Sequence, residues 1–481
     1  MPQFASTAHT PAPPQGLPAA PHGLPARTRS GATLAVTAAA TTVALMNYTA
    51  PMLTLPDMAA AFGTPAGARA WLLNGTPLGL AVLLLVAGSL ADAHGRRRVF
   101  LLGTLALGLT TALGASAGST ATFTAARIAQ GAASAAVLAG SLGLLAQAYP
   151  AGRDRIRATG IWGASVSAGI ALGPLLAGAL SLVDWRLAYE VLGAAALVTA
   201  GAGARLLPAD GAAKNPGGSG ARPDIAGATA LGLALAALLT ALTLGRDGWL
   251  RPQVGLLLLA SVALTALFVL VEHRSRTPMV DLALLRRPAF LASTLGALFT
   301  GLAVIGLFSV VPALLQGGGG TGNGAGAGMS PLGAAWLFVL WSGTAFVVAL
   351  QTRRLAGRLS APYQLTLGFV LSAAGVLALL GGLDGPAGSW PRLLPGLLVA
   401  GAGSGLLNAA LPRLAVDSVP PERAAMGSGA NNTARYIGSS AGVALMLALA
   451  TAGPDTAVLV AAALALTGAG LTLTLGRRRR R

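Results

Sequence analysis

Long apolar runs follow one another along almost the whole chain, separated by short stretches that carry charge, glycine or proline. A helix that crosses the roughly 30 Å apolar core of a bilayer needs about 20 residues, and runs of this length recur here. There are fourteen of them, at 32–56, 69–91, 98–118, 121–148, 158–182, 186–207, 225–245, 253–272, 289–315, 332–352, 364–383, 391–413, 424–449 and 453–475. The pattern predicts an all-α polytopic membrane protein with fourteen transmembrane helices.

Several segments lack such a run. Residues 1–30 are rich in proline and contain no apolar stretch long enough for a signal peptide, so we expect a disordered cytoplasmic tail there. Residues 208–224 and 317–331 are weak segments that we interpret as loops, and 476–481 form a basic tail. The segment 317–331 lacks the Gly-Lys-Ser/Thr ending of a phosphate-binding loop, which argues against a nucleotide-driven pump.

The composition is also that of a membrane protein. Of the 481 residues 54% are hydrophobic and 10% are charged, against roughly 25% charged in a typical soluble domain. The chain has no cysteine, which excludes disulfides, thiolate chemistry and cysteine metal sites. No paired acids, Ser/His/Asp set or metal ligands occur within the apolar runs. We therefore expect neither an enzyme nor a protein with a metal or other cofactor.

The formal net charge of +18 would indicate nucleic acid binding in a soluble protein. The placement of the charges gives another explanation. With the N-terminus in the cytoplasm, 25 of the 32 Lys and Arg residues lie in cytoplasmic segments, 5 lie outside and 2 lie within helices. Such a bias sets topology. We expect a protein of the plasma (inner) membrane, surrounded by lipid, with both termini cytoplasmic and no nucleic acid partner.

The turn between the second and third runs, "GSLADAHGRRR" at 88–98, concentrates charge in a chain that is otherwise nearly uncharged. Glycine allows a tight turn, aspartate caps a helix or pairs, and arginines hold the cytoplasmic side. We assign a cytoplasmic gate to this turn, with a positive-inside loop and a helix cap as the alternative. The gate candidates are Gly88, Leu90, Asp92, Gly95, Arg96 and Arg97.

The fourth apolar run contains an arginine, Arg127, in the stretch "ARIAQGAASAA". Gln130 and Gly131 occupy neighbouring positions on the same helical face. Arginine at membrane depth costs several kcal/mol unless it faces a cavity or a partner. Arg127 is therefore a candidate for a functional buried charge, and a structural pairing is the alternative.

The fifth run reads "AGIALGPLLAGAL". Gly169 and Gly173 are four positions apart on one face, which permits close helix contact, and Pro174 removes a backbone hydrogen bond and bends the helix. Gly178 continues the series one turn further. A hinge of this kind suits a rocking element, and ordinary small-residue packing is the alternative.

These three motifs resemble signatures of the major facilitator superfamily. The turn at 88–98 is similar to its loop signature, with Ala93 where the family often has arginine, and the fifth run is similar to the Gly-Pro signature of its antiporters. The resemblance to the fourteen-helix drug:proton antiporter branch covers residues 31 to 475. It implies two six-helix bundles, 31–207 and 289–475, a linker at 208–288 with two extra helices, and a substrate site between the bundles.

The first run departs from that branch. It reads "LMNYTAPMLTLP", and Asn47 stands where the branch usually has an aspartate. Asparagine does not titrate, whereas a proton carrier must. Of the fourteen acids, Glu190 lies clearly inside an apolar run. We assign proton coupling to Glu190, paired with Arg186 or Arg127, and an interfacial pair with Arg186 is the equal alternative.

Polar and aromatic side chains near the middle of the runs are candidates for a substrate cavity, although such residues also hold helices together. Arg435, in "NNTARYIG", stands apart as an ionisable group about half way along the thirteenth run. A mostly apolar cavity with few charges suits uncharged or weakly polar amphiphilic compounds. The cavity candidates are Asn47, Asn74, Trp162, Trp341, Asn408, Asn431 and Asn432.

The sequence thus predicts a monomeric secondary transporter that exports drug-like or antibiotic molecules by alternating access, against proton entry. A facilitator or solute-coupled carrier is the first alternative, because Asn47 replaces the expected acid. A membrane receptor or assembly protein is an alternative of another class. It is disfavoured because the sequence contains no soluble domain to transmit a signal.

Overall fold

The computed structural model describes residues 26–149, 153–208, 225–245, 250–275, 284, 286–317, 328–355, 360–383, 389–419 and 424–478. Across these residues the regular structure is helical and contains no strand, which confirms the predicted all-α fold. Most of the predicted tails and loops, at 1–25, 209–224, 318–327 and 479–481, lie outside the described part of the chain. The predicted N-terminal tail is too long by five residues, because the first helix begins at Ala26.

Sixteen α-helices run through the described residues. They are α1 (Ala26–Thr49), α2 (Pro51–Ala61), α3 (Arg69–His94), α4 (Arg96–Ala115), α5 (Thr120–Ala148), α6 (Arg153–Leu180), α7 (Arg186–Leu206), α8 (Ile225–Gly245), α9 (Pro252–Arg274), α10 (Pro288–Phe299), α11 (Gly306–Leu315), α12 (Pro331–Leu355), α13 (Ala361–Leu377), α14 (Leu393–Asp417), α15 (Ala424–Ala450) and α16 (Pro454–Arg478). A π-helical stretch, Thr300–Ile305, joins α10 to α11.

Each predicted apolar run corresponds to one helix or to one continuous pair of helices. The first run becomes α1 and α2, which meet at Ala50, and the ninth becomes α10, the π-helical stretch and α11. Proline is tolerated in the first turn of a helix, where its missing N–H has no partner to lose, and Pro51 starts α2 in this way. Within the described residues, ten helical spans are long and apolar enough to cross a membrane by length and composition. The count of fourteen crossings stays a prediction.

Two groups of helices pack as the halves of the molecule. In the first half, α1 to α7, helix α5 packs on α1, α3 and α4, while α6 and α7 pack on α1. In the second half, α10 to α16, helix α14 packs on α12 and α13, and α10 and α13 both pack on α16. The halves meet mainly through α3 with α15 and α6 with α12, and α2 also contacts α11 and α12. The division into bundles at 31–207 and 289–475 stays a prediction that these contacts support.

The remaining two helices, α8 and α9, pack on each other beside the seam between the halves. Helix α8 contacts α3 of the first half and α15 of the second. Helix α9 keeps most of its apolar side chains exposed, with Leu256 and Val262 among them. Exposed leucine and valine in such number are expected where a helix faces lipid instead of water.

The two ends of the molecule differ, and we name them by their charge. The arginine-rich end carries the turn between α3 and α4, with Arg96 to Arg98. The arginine-poor end carries the connection between α11 and α12. There the Gln316 side chain donates a hydrogen bond of 3.1 Å to the carbonyl of Leu53, which ties the second half to the first.

Candidate functional site

A cavity lies between the two halves, around the middle of the helices. Its wall comes from α1, α2 and α6 of the first half, and from α12, α14, α15 and the region from Thr300 to Ser309 of the second. Most of this lining is apolar or aromatic. The aromatic members are Tyr48, Phe308, Phe338, Trp341, Phe346 and Tyr436.

Arg435 is the one charged side chain in the described lining of the cavity. It is half-buried, and one of its terminal nitrogens donates a hydrogen bond of 2.9 Å to Asn432 Oδ1. Its guanidinium carbon lies 5.4 Å from the centre of the Tyr436 ring, a cation–π distance. Its Nε is buried without a hydrogen bond partner. The charge of Arg435 is therefore held in place by neutral groups and faces the cavity.

Two aromatic rings of the second half form a flat slab in the cavity wall. The rings of Phe308 and Trp341 stack with centroids 4.2 Å apart and an interplanar angle of 8°. Phe338 meets Trp341 edge-on at 5.2 Å, which fixes the indole from the side. The two stacked faces cover each other, so the pair is a rigid apolar part of the cavity wall.

Arg127 lies in a different setting, within the first half and with no exposed surface. One terminal nitrogen donates to the Asn47 carbonyl at 2.8 Å, to Asn47 Oδ1 at 2.7 Å and to Gln130 Oε1 at 2.6 Å. The other donates to the Tyr48 carbonyl at 3.4 Å. Asn47 in turn donates to the hydroxyl of Thr111. The arginine is thus enclosed by neutral acceptors, and Asn47 occupies the place of a counterion without carrying charge.

The glycines of α6 bring that helix against both halves. A Cβ on Gly169 would lie 2.6 Å from the Thr42 carbonyl, and one on Gly173 would collide with the Thr49 hydroxyl, so both residues allow α6 to approach α1. A Cβ on Gly178 would instead lie 2.9 Å from the Pro331 carbonyl in α12. Pro174 is buried between these contacts. The motif therefore packs within the first half and reaches the second half at the arginine-poor end.

The turn between α3 and α4 is made by Gly95, whose φ of 100° favours glycine. Arg96 donates to the Gly143 carbonyl in α5 at 3.0 Å, and Arg97 donates to the Ala204 carbonyl in α7 at 2.8 Å. These bonds tie the arginine-rich end of the first half together. Gly88 and Leu90 lie on the last turns of α3, and the side chain of Asp92 lies outside the described part of the structure.

Glu190 lies on an exposed face of α7, close to the arginine-poor end. The two arginines proposed as its partners donate to other groups, and the pairing stays a prediction. Arg186 donates to the carbonyls of Ala115 and Ala117 at 3.1 and 3.2 Å, and the donors of Arg127 are turned towards α1. The proton-coupling role of Glu190 stays a prediction.

The sequence-based cavity candidates separate into two groups. Asn408, Trp341 and Arg435 line the cavity. The others hold helices together. Asn47 accepts from Arg127, and Asn432 accepts from Arg435. Asn74 donates to the Ser440 carbonyl at 3.0 Å, Asn431 donates to Ser293, and Trp162 donates to the hydroxyls of Thr41 and Ser141.

Several lining residues were not singled out in the sequence, above all the aromatic residues Tyr48, Phe308 and Tyr436. Aromatic side chains within apolar runs are common as core packing, and those that face a cavity carry no separate signal. A neighbouring arginine is the one local feature that marks Tyr436.

A helical membrane protein with two packed halves and a cavity between them has the architecture of a secondary transporter. The chain belongs to the Major Facilitator Superfamily, whose family model matches residues 37–443. It is therefore a membrane transporter and not an enzyme.

Two relatives and one solved structure place the chain within this family. It is 32% identical over 424 residues to a puromycin resistance protein of Streptomyces alboniger, covering 87% of this chain and 81% of that one. It is 31% identical over 397 residues to a multidrug resistance protein of Mycobacterium tuberculosis, covering 82% of this chain and 70% of that one. A peptide transporter structure matches with a TM-score of 0.67 and 14% identity, covering 95% of this chain and 99% of that one, which shows a common fold.

Proposed function

We propose that this protein exports drug-like or antibiotic small molecules from the cytoplasm by alternating access, as a monomer. The observation that carries the proposal is the cavity between the halves, whose lining is mostly apolar and aromatic and which is bounded at the arginine-poor end by contacts between the halves. The relatives are a puromycin resistance protein and a multidrug resistance protein, which supports this substrate class.

The orientation follows from the charge bias, with the arginine-rich end and both termini in the cytoplasm. The structure then corresponds to the state that is closed to the outside. Single cysteines in this cysteine-free chain test the orientation, because Val183 at the arginine-poor end is 82% exposed and His94 at the other end is also exposed. In sealed cells an impermeant thiol reagent should label Val183→Cys and not His94→Cys. The reverse pattern would overturn the orientation.

The turn between α3 and α4 acts as the cytoplasmic gate in this proposal, with Asp92 as its acidic member. Gly88, Leu90 and Gly95 shape the turn, while Arg96 and Arg97 tie it to α5 and α7. The glycines Gly169 and Gly173, with Pro174, form the rocking contact on α1. Gly178 forms the closing contact on α12.

Export and its mechanism are tested together by accumulation of a compound panel in an efflux-deficient host, with and without the gene. The expression of wild-type protein should lower the accumulation of some compounds. Gly178→Val should abolish this effect, since a side chain there prevents closure on Pro331. Gly163→Val is the matched control on the same helix, because a Cβ at Gly163 meets nothing within 4 Å. Equal efflux by the two variants would contradict the closing role of Gly178.

Proton antiport remains the proposed coupling, and a facilitator is a second candidate that specific observations favour. The described lining of the cavity contains no Asp or Glu, and Arg127 contacts Asn47 where an acid would titrate. Substrate-induced proton movement in everted vesicles distinguishes the two. Wild-type protein that exports a compound without any linked proton flux is a facilitator.

A further inference from the structure

Four buried polar atoms in the cavity wall have no hydrogen bond partner within the protein. They are the Nε of Arg435, the Nε1 of Trp341 and the hydroxyl oxygens of Ser342 and Ser404. Trp341, Ser342 and Ser404 are 7%, 5% and 3% exposed, so bulk water reaches them little. Buried polar groups in native proteins are nearly always paired, and a group of unpaired ones facing one cavity indicates a ligand that pairs them.

The chemistry of these atoms defines what the ligand must present. The guanidinium and indole nitrogens only donate hydrogen bonds, and each hydroxyl is able to donate as well. A ligand that satisfies Arg435 and Trp341 together must therefore bring acceptor oxygens. A cationic ammonium group supplies donors alone and leaves both nitrogens unpaired.

The charge of the site has the same sign throughout. Arg435 is the charged residue of the described lining, and a second guanidinium, that of Arg127, lies directly behind Tyr48 and donates to the Tyr48 carbonyl. Neither arginine contacts a carboxylate, because their acceptors are amide and carbonyl oxygens. In a site of low dielectric constant this leaves a positive potential that attracts anions and repels cations.

The stacked rings of Phe308 and Trp341 supply the apolar part of the site. Trp341 is part of the stacked pair and also part of the set of unpaired donors, because its ring stacks on Phe308 and its Nε1 has no partner. A ring system that carries oxygen substituents at its edge brings apolar surface to this part of the wall and acceptors to the donors.

From these observations we propose that the cavity is selective for anionic, oxygen-rich aromatic compounds, with an acidic group bound by Arg435 and the ring system against Phe308 and Trp341. The inference deepens the proposed export function, on which it depends for transport, although binding is tested separately. It also accounts for a cavity without an acid. An anion leaves a cytoplasm of negative potential downhill, so its export needs no proton carrier.

The test compares two xanthene dyes of the same ring skeleton, the anion fluorescein and the cation rhodamine 123. The full-length protein is purified into lipid nanodiscs, and binding of each dye is followed by fluorescence anisotropy at pH 8. We expect fluorescein to bind at least about tenfold more tightly than rhodamine 123, the difference expected for one charge-assisted hydrogen bond. Equal binding of the two dyes, tighter binding of rhodamine 123, or no binding of either would overturn the proposal.

Variants then assign the preference to Arg435. Arg435→Gln should weaken fluorescein binding about tenfold or more and remove the preference, while Arg435→Lys should keep it. Arg413→Gln is the matched control, because Arg413 is also half-buried in the second half and donates one 2.9 Å hydrogen bond to an amide oxygen, that of Gln364, but lies outside the cavity lining. A preference retained in Arg435→Gln would contradict the assignment.

A milder variant keeps the test independent of folding. Trp341→Phe preserves a ring in the slab and removes only the indole donor, so fluorescein affinity should fall several-fold with little change for rhodamine 123. Efflux measurements separate the two proposals. Export of rhodamine 123 without fluorescein supports the transporter and overturns the anion preference, whereas fluorescein binding without any export supports the preference and overturns the proposed function.

Discussion

Arg127 in the first half and Arg435 in the second are both arginines within apolar helices, yet their surroundings differ in kind. Arg127 has no exposed surface and donates to four acceptors, three of them on Asn47 and Gln130. Arg435 is half-buried, donates to Asn432 and faces the cavity. Each arginine has a buried Nε without a partner. The difference lies in the terminal nitrogens, because both of those of Arg127 donate within the protein, whereas Arg435 donates to Asn432 and borders the cavity. The first arrangement is structural, and the second leaves donors for a ligand.

Replacement of each arginine by leucine should separate the two roles most strongly. Arg127→Leu leaves Asn47 Oδ1, Gln130 Oε1 and two backbone carbonyls unpaired in a buried place, which costs about 3–5 kcal/mol. We expect Tm in detergent to fall by roughly 10 °C or more. Arg435→Leu is the control, because it removes the hydrogen bond to Asn432 from a residue that already faces a cavity, and its Tm should change little. Similar Tm values for the two variants would break the comparison.

The sequence alone selected both arginines by one rule, that an ionisable group at membrane depth is functional. It could not separate them, because the difference depends on which face of each helix points into the cavity. That rotation is fixed by packing between helices far apart in sequence, such as the contact of Gly301 with the Arg435 carbonyl, where a Cβ on the glycine would collide. Hydropathy reports the length and order of helices, and these were predicted well, but carries little information on rotation.

The same limit explains why polar residues were hard to assign. Trp162 and Trp341 look alike in the sequence, and both lie in apolar runs. In the structure Trp162 Nε1 donates to Thr41 and Ser141, whereas Trp341 Nε1 has no partner and borders the cavity. Pro51 indicates the helix break at Ala50 in the sequence, whereas no residue in the sequence indicates the π-helical stretch at Thr300–Ile305. Short π-helical segments inside α-helices are often found at functional sites.

Substitution of Asn47 tests whether a charged partner stabilises Arg127 more than the neutral asparagine does. Asn47→Asp places a negative charge against the buried guanidinium, which strengthens the hydrogen bonds from Arg127. The Thr111 hydroxyl, which accepts from the amide and donates to the Leu107 carbonyl at 2.6 Å, must give up that second bond to donate to the carboxylate. We expect a rise in Tm of a few degrees, equivalent to about 1–2 kcal/mol. The measurement is thermal unfolding at pH 8, where the carboxylate is ionised.

Asn431→Asp is the matched control for this change. The Asn431 amide donates to the carbonyl and hydroxyl of Ser293 at 3.0 and 2.9 Å, so a carboxylate there loses a donor and faces a carbonyl oxygen. Its Tm should fall where that of Asn47→Asp rises. A fall in both variants would show that the Arg127 site is already satisfied by neutral acceptors.

We expect the smallest effect from substitution of Glu190, and this substitution tests proton coupling most directly. Its side chain is exposed near the arginine-poor end, and Arg186, one turn before it, donates to the carbonyls of Ala115 and Ala117 instead. Glu190→Gln should therefore leave Tm unchanged. Efflux should also stay within about twofold of wild type if the exported compound is an anion driven by the membrane potential. In everted vesicles, loss of substrate-induced proton flux in Glu190→Gln, with flux present in wild type, would instead make Glu190 the proton carrier and place coupling outside both arginine sites.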